Sequence, residues 1–198
     1  MYAFLDNETT GIYPDQCFDP AKRRDNYQPK LITIGVQLVT EELQFHKAIE
    51  LKIAVPQEWL DEPYNIECMT YQKALEVNGF TLESLPHGMD EAEASKELAE
   101  FLENNNVTHI FAHRASFDFR FLLETPWNMQ AEQFVCTKPL ATRALPEGTY
   151  NGLQNWISHT LAHTALGDAR ALAMCSLTNK DEFNEWFKTA RTLADTPV

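Results

Sequence analysis

The sequence predicts an α/β fold in which a mixed five-stranded sheet carries helices on both faces. Five short apolar or β-branched stretches, at 2–6, 31–39, 44–53, 108–112 and 134–137, read as strands. Apolar residues at helical spacing mark 69–77, 90–103, 117–123, 165–177 and 181–193 as helices, with a brief one at 152–157. Their order, three strands followed by helix, strand and helix, is that of a layered α/β sandwich. The 198 residues contain no repeat, low-complexity segment or linker, so one domain over 1–198 is expected.

Tyr2 to Asp6 forms the first strand, and Asp6 and Glu8 stand two apart, so both carboxylates share one face with Tyr2 and Phe4. From Thr10 to Lys30 the chain is rich in Pro, Asp and aromatic residues and reads as a long loop. That loop holds Lys22-Arg23-Arg24, the one run of three basic residues, either a solvated charge run or a functional patch. Leu31 to Val39 is a near-continuous β-branched run, Gln44 to Ile53 its hairpin partner, and Thr40-Glu41-Glu42 the turn. The first three strands should therefore be an antiparallel meander. Asn78-Gly79 closes the 69–77 helix, and acids in the first turn suit the 90–103 helix. The stripe Phe183, Trp186, Phe187, Ala190 and Leu193 marks the helix at 181–193 as docked on its own core, followed by a short tail to 198.

Composition bounds the function. Apolar residues are 44% and charged residues 23%, the balance of a soluble globular protein. Sixteen Lys plus Arg against 29 Asp plus Glu leave a net charge of −13, the wrong sign for coating nucleic acid by charge alone. The cysteines at 17, 68, 136 and 175 lack metal-site or disulfide spacing, so reduced thiols in a cytoplasmic setting are expected. No basic leader and no run approaching about 18 apolar residues is present, so no membrane partner is expected. A homodimer or accessory-protein contact stays open.

Four acids stand at special places in this layout. Asp6 and Glu8 end the first strand, Asp118 sits between Phe117 and Phe119 past the fourth, and Asp168 shares the inward face of its helix with Leu172 and Cys175. Asp118 could pair with Arg114 or Arg120, and Asp168 could serve the helix dipole. Together, the four can hold two Mg²⁺ or Mn²⁺ ions about 3.5–4 Å apart, as two-metal phosphodiester chemistry requires. His163 falls just ahead of the last of these acids.

FLDNETTGI, AHRASFDFRFL and HTALGDARALA, in this order, resemble the three motifs of the DnaQ-like, DEDDh 3′→5′ exonucleases of the RNase H-like superfamily. The resemblance spans residues 2 to about 177, and the His-x4-Asp spacing marks the histidine subclass. It implies that Asp6, Glu8 and Asp168 hold one metal, that Asp6 and Asp118 hold the other, and that His163 is the general base. It further implies that the backbone around Glu8, Thr9, Thr10 and Gly11 meets the terminal 3′-hydroxyl, with Phe117 or Phe119 near the base and a single-stranded 3′ end as partner. Asn7 stands where Thr is usual, Arg114 where Asn is usual, and Cys136 where an Asp is common, departures that bear on substrate preference. The expected activity is hydrolysis of single-stranded DNA or RNA to nucleoside monophosphates. A nuclease of short or cyclic oligonucleotides, and a binding module that has lost the chemistry, are the alternatives.

Overall fold

The computed structural model describes residues 1–16, 25–140, 164–178 and 180–195. Strands β1 (Tyr2–Thr9), β2 (Leu31–Val39), β3 (Phe45–Lys52), β4 (His109–Ala112) and β5 (Phe134–Cys136) form one sheet in the order β3-β2-β1-β4-β5. The first three pair antiparallel, the expected meander, whereas β4 runs parallel to β1 and β5 parallel to β4. β1 is thus the central strand and the boundary between the antiparallel and parallel halves. Such a boundary, at the carboxyl ends of the parallel strands, is where open α/β sheets build their sites.

The described helices are α1 (Gln57–Leu60), α2 (Pro63–Gln72), α3 (Ala74–Asn78), α4 (Glu91–Asn104), α5 (Ala115–Leu122), α6 (Ala165–Thr178) and α7 (Lys180–Phe187). They cover both faces. Ala3, Leu5, Ile34 and Val36 pack with Leu98 and Leu102 of α4 and Leu122 of α5 on one side. On the other, Phe4 and Phe111 pack with Leu172 of α6 and with Phe183 and Trp186 of α7. A third cluster, around Tyr27, Ile32, Trp59 and Met69, seats α1 to α3 beside the end of β1.

Three expectations need correction. β1 continues to Thr9, so Asp6 and Glu8 lie within the strand; their ladder to Gly35 and Thr33 holds, and the register slips only between Glu8 and Thr9. The helix expected at 69–77 begins at Pro63 and breaks at Lys73, whose φ of 56° is left-handed and whose N–H bonds back to the carbonyls of Met69 and Thr70. Gly79, with φ of 70°, caps α3 as foreseen. The last helix ends at Phe187, after which tight turns lead the chain to Thr192, where it bridges Val135 beside β5. The helix expected at 152–157, His163, Cys17 and Lys22-Arg23-Arg24 lie outside the described residues. No described helix is long and apolar enough to cross a membrane.

Phe183 is fully buried and its ring meets Tyr2, Phe4, Phe111, Trp186 and Phe187. Truncating so enclosed a ring removes its transfer energy and leaves a cavity. Phe183→Ala should therefore lower unfolding stability by about 3–5 kcal/mol, read as a shift of the urea midpoint at constant slope.

Candidate active site

β1 brings the first two acids together by strand periodicity alone. Tyr2, Phe4, Asp6 and Glu8 look toward α6 and α7, so the strand passes from aromatic core to carboxylates along one face. The register sets Asp6 against Gly35 and Glu8 against Thr33 on β2. Gly35 decides what can lie above them. A Cβ there would stand 2.0 Å from the Leu166 nitrogen and 2.1 Å from the Ala165 carbonyl carbon. Only a glycine lets the start of α6 rest directly on the sheet, and that seat delivers Asp168, fourth residue of α6, to the strand acids.

One carboxylate oxygen from each of Asp6, Glu8 and Asp168 lies within 4.8 Å of the others. Asp118 arrives from the opposite side. β4 ends at Ala112, Arg114 turns the chain with a φ of 70°, and α5 starts at once, placing Asp118 in its first turn and 4% exposed. Asn7, pointing away from the Asp6–Glu8 face, donates from Nδ2 to the Asp118 backbone carbonyl at 3.1 Å. Neighbouring strand residues thus carry one pair of acids and secure the helix bearing the third.

Crowding and burial have the expected electrostatic effect. Burial first, then the charges of Asp118, Glu8 and Asp168, hold Asp6 well above the usual carboxylate range. Glu8 is pushed up to about 8, chiefly by burial and then by Asp168, Asp118 and Glu50. Burial also raises Asp118 to about 8, against the opposing pull of backbone N–H groups at Asp118 and Asn7 and of the Arg114 charge. The Arg114 alternative for Asp118 therefore survives as an electrostatic influence. Arg120 is engaged elsewhere, paired with Asp15 and lying 4.1 Å over the Tyr13 ring.

The donor set fits a hard divalent cation. Oxygens at about 2.1 Å from one such ion stand up to about 4.2 Å apart, so small rotamer changes close the observed spacing. A second observation agrees. The Thr33 hydroxyl, cross-strand from Glu8, is buried with no hydrogen-bond partner among the described residues.

A cleft of about 300 Å³ opens beside Glu8. Its walls are Asn7, Thr9, Gly11 and Ile12 from β1 and its exit, Gln72 of α2, Val77 and Asn78 of α3, and Phe117 of α5. Thr9, Gly11 and Phe117 are thus brought to the cleft. Thr10 is not: it is buried behind it, its hydroxyl accepting from Lys30 N at 2.8 Å and its carbonyl from the Tyr27 hydroxyl at 2.7 Å. Those bonds close the base of the 10–30 loop. Gln72 and Asn78 were not foreseen as lining residues. Asn78 donates to the Thr9 carbonyl at 2.9 Å, and Gln72 accepts from Ile12 N at 2.8 Å. Gly11 permits the second contact, since a Cβ there would sit 2.0 Å from Gln72 Oε1.

No protein-family model matches the sequence, and no curated protein matches it in a sequence comparison. Solved structures do share the fold. A full-length 3′-exonuclease superposes with a TM-score of 0.63 at 9% identity over 91% of this chain and 81% of that one. Cell-death related nuclease 4 gives 0.65 at 11% over 96% and 65%. Exonuclease I of E. coli, solved with single-stranded DNA, gives 0.63 at 17% identity over 94% of this chain, which spans 42% of that protein. This chain accordingly shares the fold of these solved exonuclease structures.

The raised acids give a pH signature. A carboxyl whose folded pKa exceeds its unfolded value adds stability while protonated, and loses it as pH rises from the unfolded value, 4.5 for Glu8 and 3.8 for Asp118, through about 8. A divalent cation needs the ionised form, so its binding reverses the loss where the loss is greatest. Thermal unfolding with and without Mg²⁺ should show a larger cation-induced rise in Tm at pH 8 than at pH 6. An equal or smaller rise at pH 8 would contradict the donor set.

Proposed function

We propose that the chain is a metal-dependent 3′→5′ exonuclease that hydrolyses single-stranded DNA or RNA from a free 3′-hydroxyl end. The observation that carries this reading is the convergence of Asp6, Glu8 and Asp168 within 4.8 Å, beside a cleft of about 300 Å³ that suits one terminal nucleoside. Charge supports it indirectly: at −13, the chain has few cations to neutralise a long phosphate backbone, so contacts at one chain end must suffice.

Asp6, Glu8 and Asp168 would hold one divalent ion, Mg²⁺ or Mn²⁺, and Asp6 with Asp118 would hold a second. When bound, such a pair neutralises charge on the phosphodiester and favours ionisation of the attacking water. His163, outside the described residues, accepts a proton from that water; an imidazole with an ordinary pKa of about 6.5 is suited to this near neutral pH. Water adds at phosphorus as the bond to the preceding nucleotide's 3′-oxygen breaks; that oxygen takes a proton from solvent, His163 returns its own to solvent, and a nucleoside 5′-monophosphate and a new 3′-hydroxyl result. The backbone at Thr9 and Gly11, backed by buried Thr10, holds the terminal 3′-hydroxyl. Phe117 and Val77 pack against the terminal base. Arg114, at the N-terminus of α5, draws the scissile phosphate toward Asp118.

Incubation with 5′-labelled single-stranded DNA and RNA should give a ladder that shortens from the 3′ end, abolished by EDTA. Asp6→Ala should bring cleavage to background, and His163→Ala should slow it roughly 10²- to 10⁴-fold. Persistent cleavage by Asp6→Ala would sink the assignment.

A further inference from the structure

We infer that Glu50, an exposed residue on edge strand β3, is a positioning residue that fixes the start of α6 and thereby aims Asp168 at the strand acids. The inference rests on the exonuclease reading and adds to it a residue outside the four ligands and His163. Across the sheet, Asp6, Gly35 and Glu50 occupy one register row of β1, β2 and β3. Directly paired residues in neighbouring antiparallel strands share a face, so the Glu50 side chain rises on the same side as Asp6. α6 lies over Gly35 between them, and Glu50 Oε1 accepts a hydrogen bond from Leu166 N at 3.1 Å.

That bond satisfies one of the N–H groups that every helix start leaves without an internal partner. Thr164 satisfies another, its hydroxyl accepting from Gly167 N at 3.1 Å, and Asp168 N closes the turn onto the Thr164 carbonyl at 2.9 Å. Thr164 travels with the helix, so its cap shapes the first turn without fixing where that turn sits. Glu50 belongs to the sheet and does fix it. One turn further on, Arg170 Nε donates to Gln37 Oε1 of β2 at 3.1 Å. Leu166 and Arg170 flank Asp168 by two residues on either side, so the helix is tied to the sheet just before and just after the acid. Gly35 sets how closely α6 approaches, and these two ties set its rotation and its position along the strand. The carboxylate tolerances of a small divalent ion, whose oxygens must stand at about 2.0–2.1 Å, make such fixing consequential.

The test compares Glu50→Ala with Glu50→Gln, which keeps an oxygen acceptor and removes the charge. Three quantities are read: amide hydrogen exchange at Leu166, affinity for Mn²⁺ alone by calorimetry, and kcat against KM on a short single-stranded oligonucleotide. Glu50→Ala should speed exchange at Leu166, weaken Mn²⁺ about 3- to 10-fold and lower kcat with little change in KM, while Tm shifts only slightly. Glu50→Gln, which keeps the acceptor, should lie between the unmodified protein and Glu50→Ala on exchange at Leu166, Mn²⁺ affinity and kcat, and closer to the former. Unchanged exchange and Mn²⁺ affinity in Glu50→Ala, or a Gln variant that behaves like the Ala variant, would overturn the inference. Failure of the unmodified protein to bind Mn²⁺ would remove the exonuclease reading and this role with it. That case is told apart because the exchange at Leu166 reports the bond whether or not a cation binds.

Discussion

Mutual repulsion among carboxylates is the constraint on which the rest of the site depends. Two unit charges at 4.8 Å, the outer limit for the Asp6, Glu8 and Asp168 oxygens, repel by about 3–4 kcal/mol at an effective dielectric of 20. Asp118 and Asp168 each sit in the first turn of a helix, whose dipole returns roughly 0.3–1 kcal/mol per acid. Backbone and dipole thus fall short of the repulsion by several-fold. The rigid parts of the fold hold the acids against it: a central strand for two of them, and two helices pressed onto that strand's opposite faces for the others. Protons or cations supply the remainder.

The features that press those helices inward are modest in chemistry and strict in geometry. Gly35 works by having no side chain, and Asn7 by spending its amide on the Asp118 carbonyl. Each couples a strand acid to a helix acid through a neighbour in sequence or in register. A strand of alternating direction is well suited to this, because one face can carry charge while the other manages packing. The cleft obeys the same logic. Its far wall, α2 and α3, is joined to the exit of β1 through Gln72 and Asn78, so the strand that supplies the acids also sets the width of the space beside them.

Much of this arrangement was legible in the sequence, and the exceptions have physical causes. The run Leu31–Val39 is buried along its whole length and appears as a continuous apolar stretch, and the acids of its first turn announced α4, whose N-cap proves to be Asp90. The four acids stood out by their places: the end of the first strand, a strand-to-helix junction and the inward face of a helix. Lys73 did not signal the break between α2 and α3, since an αL turn at lysine leaves no glycine or proline to mark it. Asn78 read as a helix terminator, which it is, and nothing local showed that its amide also reaches the Thr9 carbonyl. The role of Gly35 was hidden inside a good strand pattern, because its partner helix lies 130 residues later in the chain. Local pattern records what a residue does for its own element; contacts between distant elements leave no periodic trace.

The bridge between Thr192 and Val135 bears on how this protein can be handled and fused. β5 is the outer strand of the parallel half and only three residues long, and the backbone after α7 folds back alongside it as a partial sixth rung. Without that cover, the outer strand would offer free amides and carbonyls to any neighbouring molecule, the usual starting point for intermolecular sheet growth. Trimming the chain before position 192 would therefore trade a shorter protein for a stickier one, and an appended tag is better joined beyond Asp195.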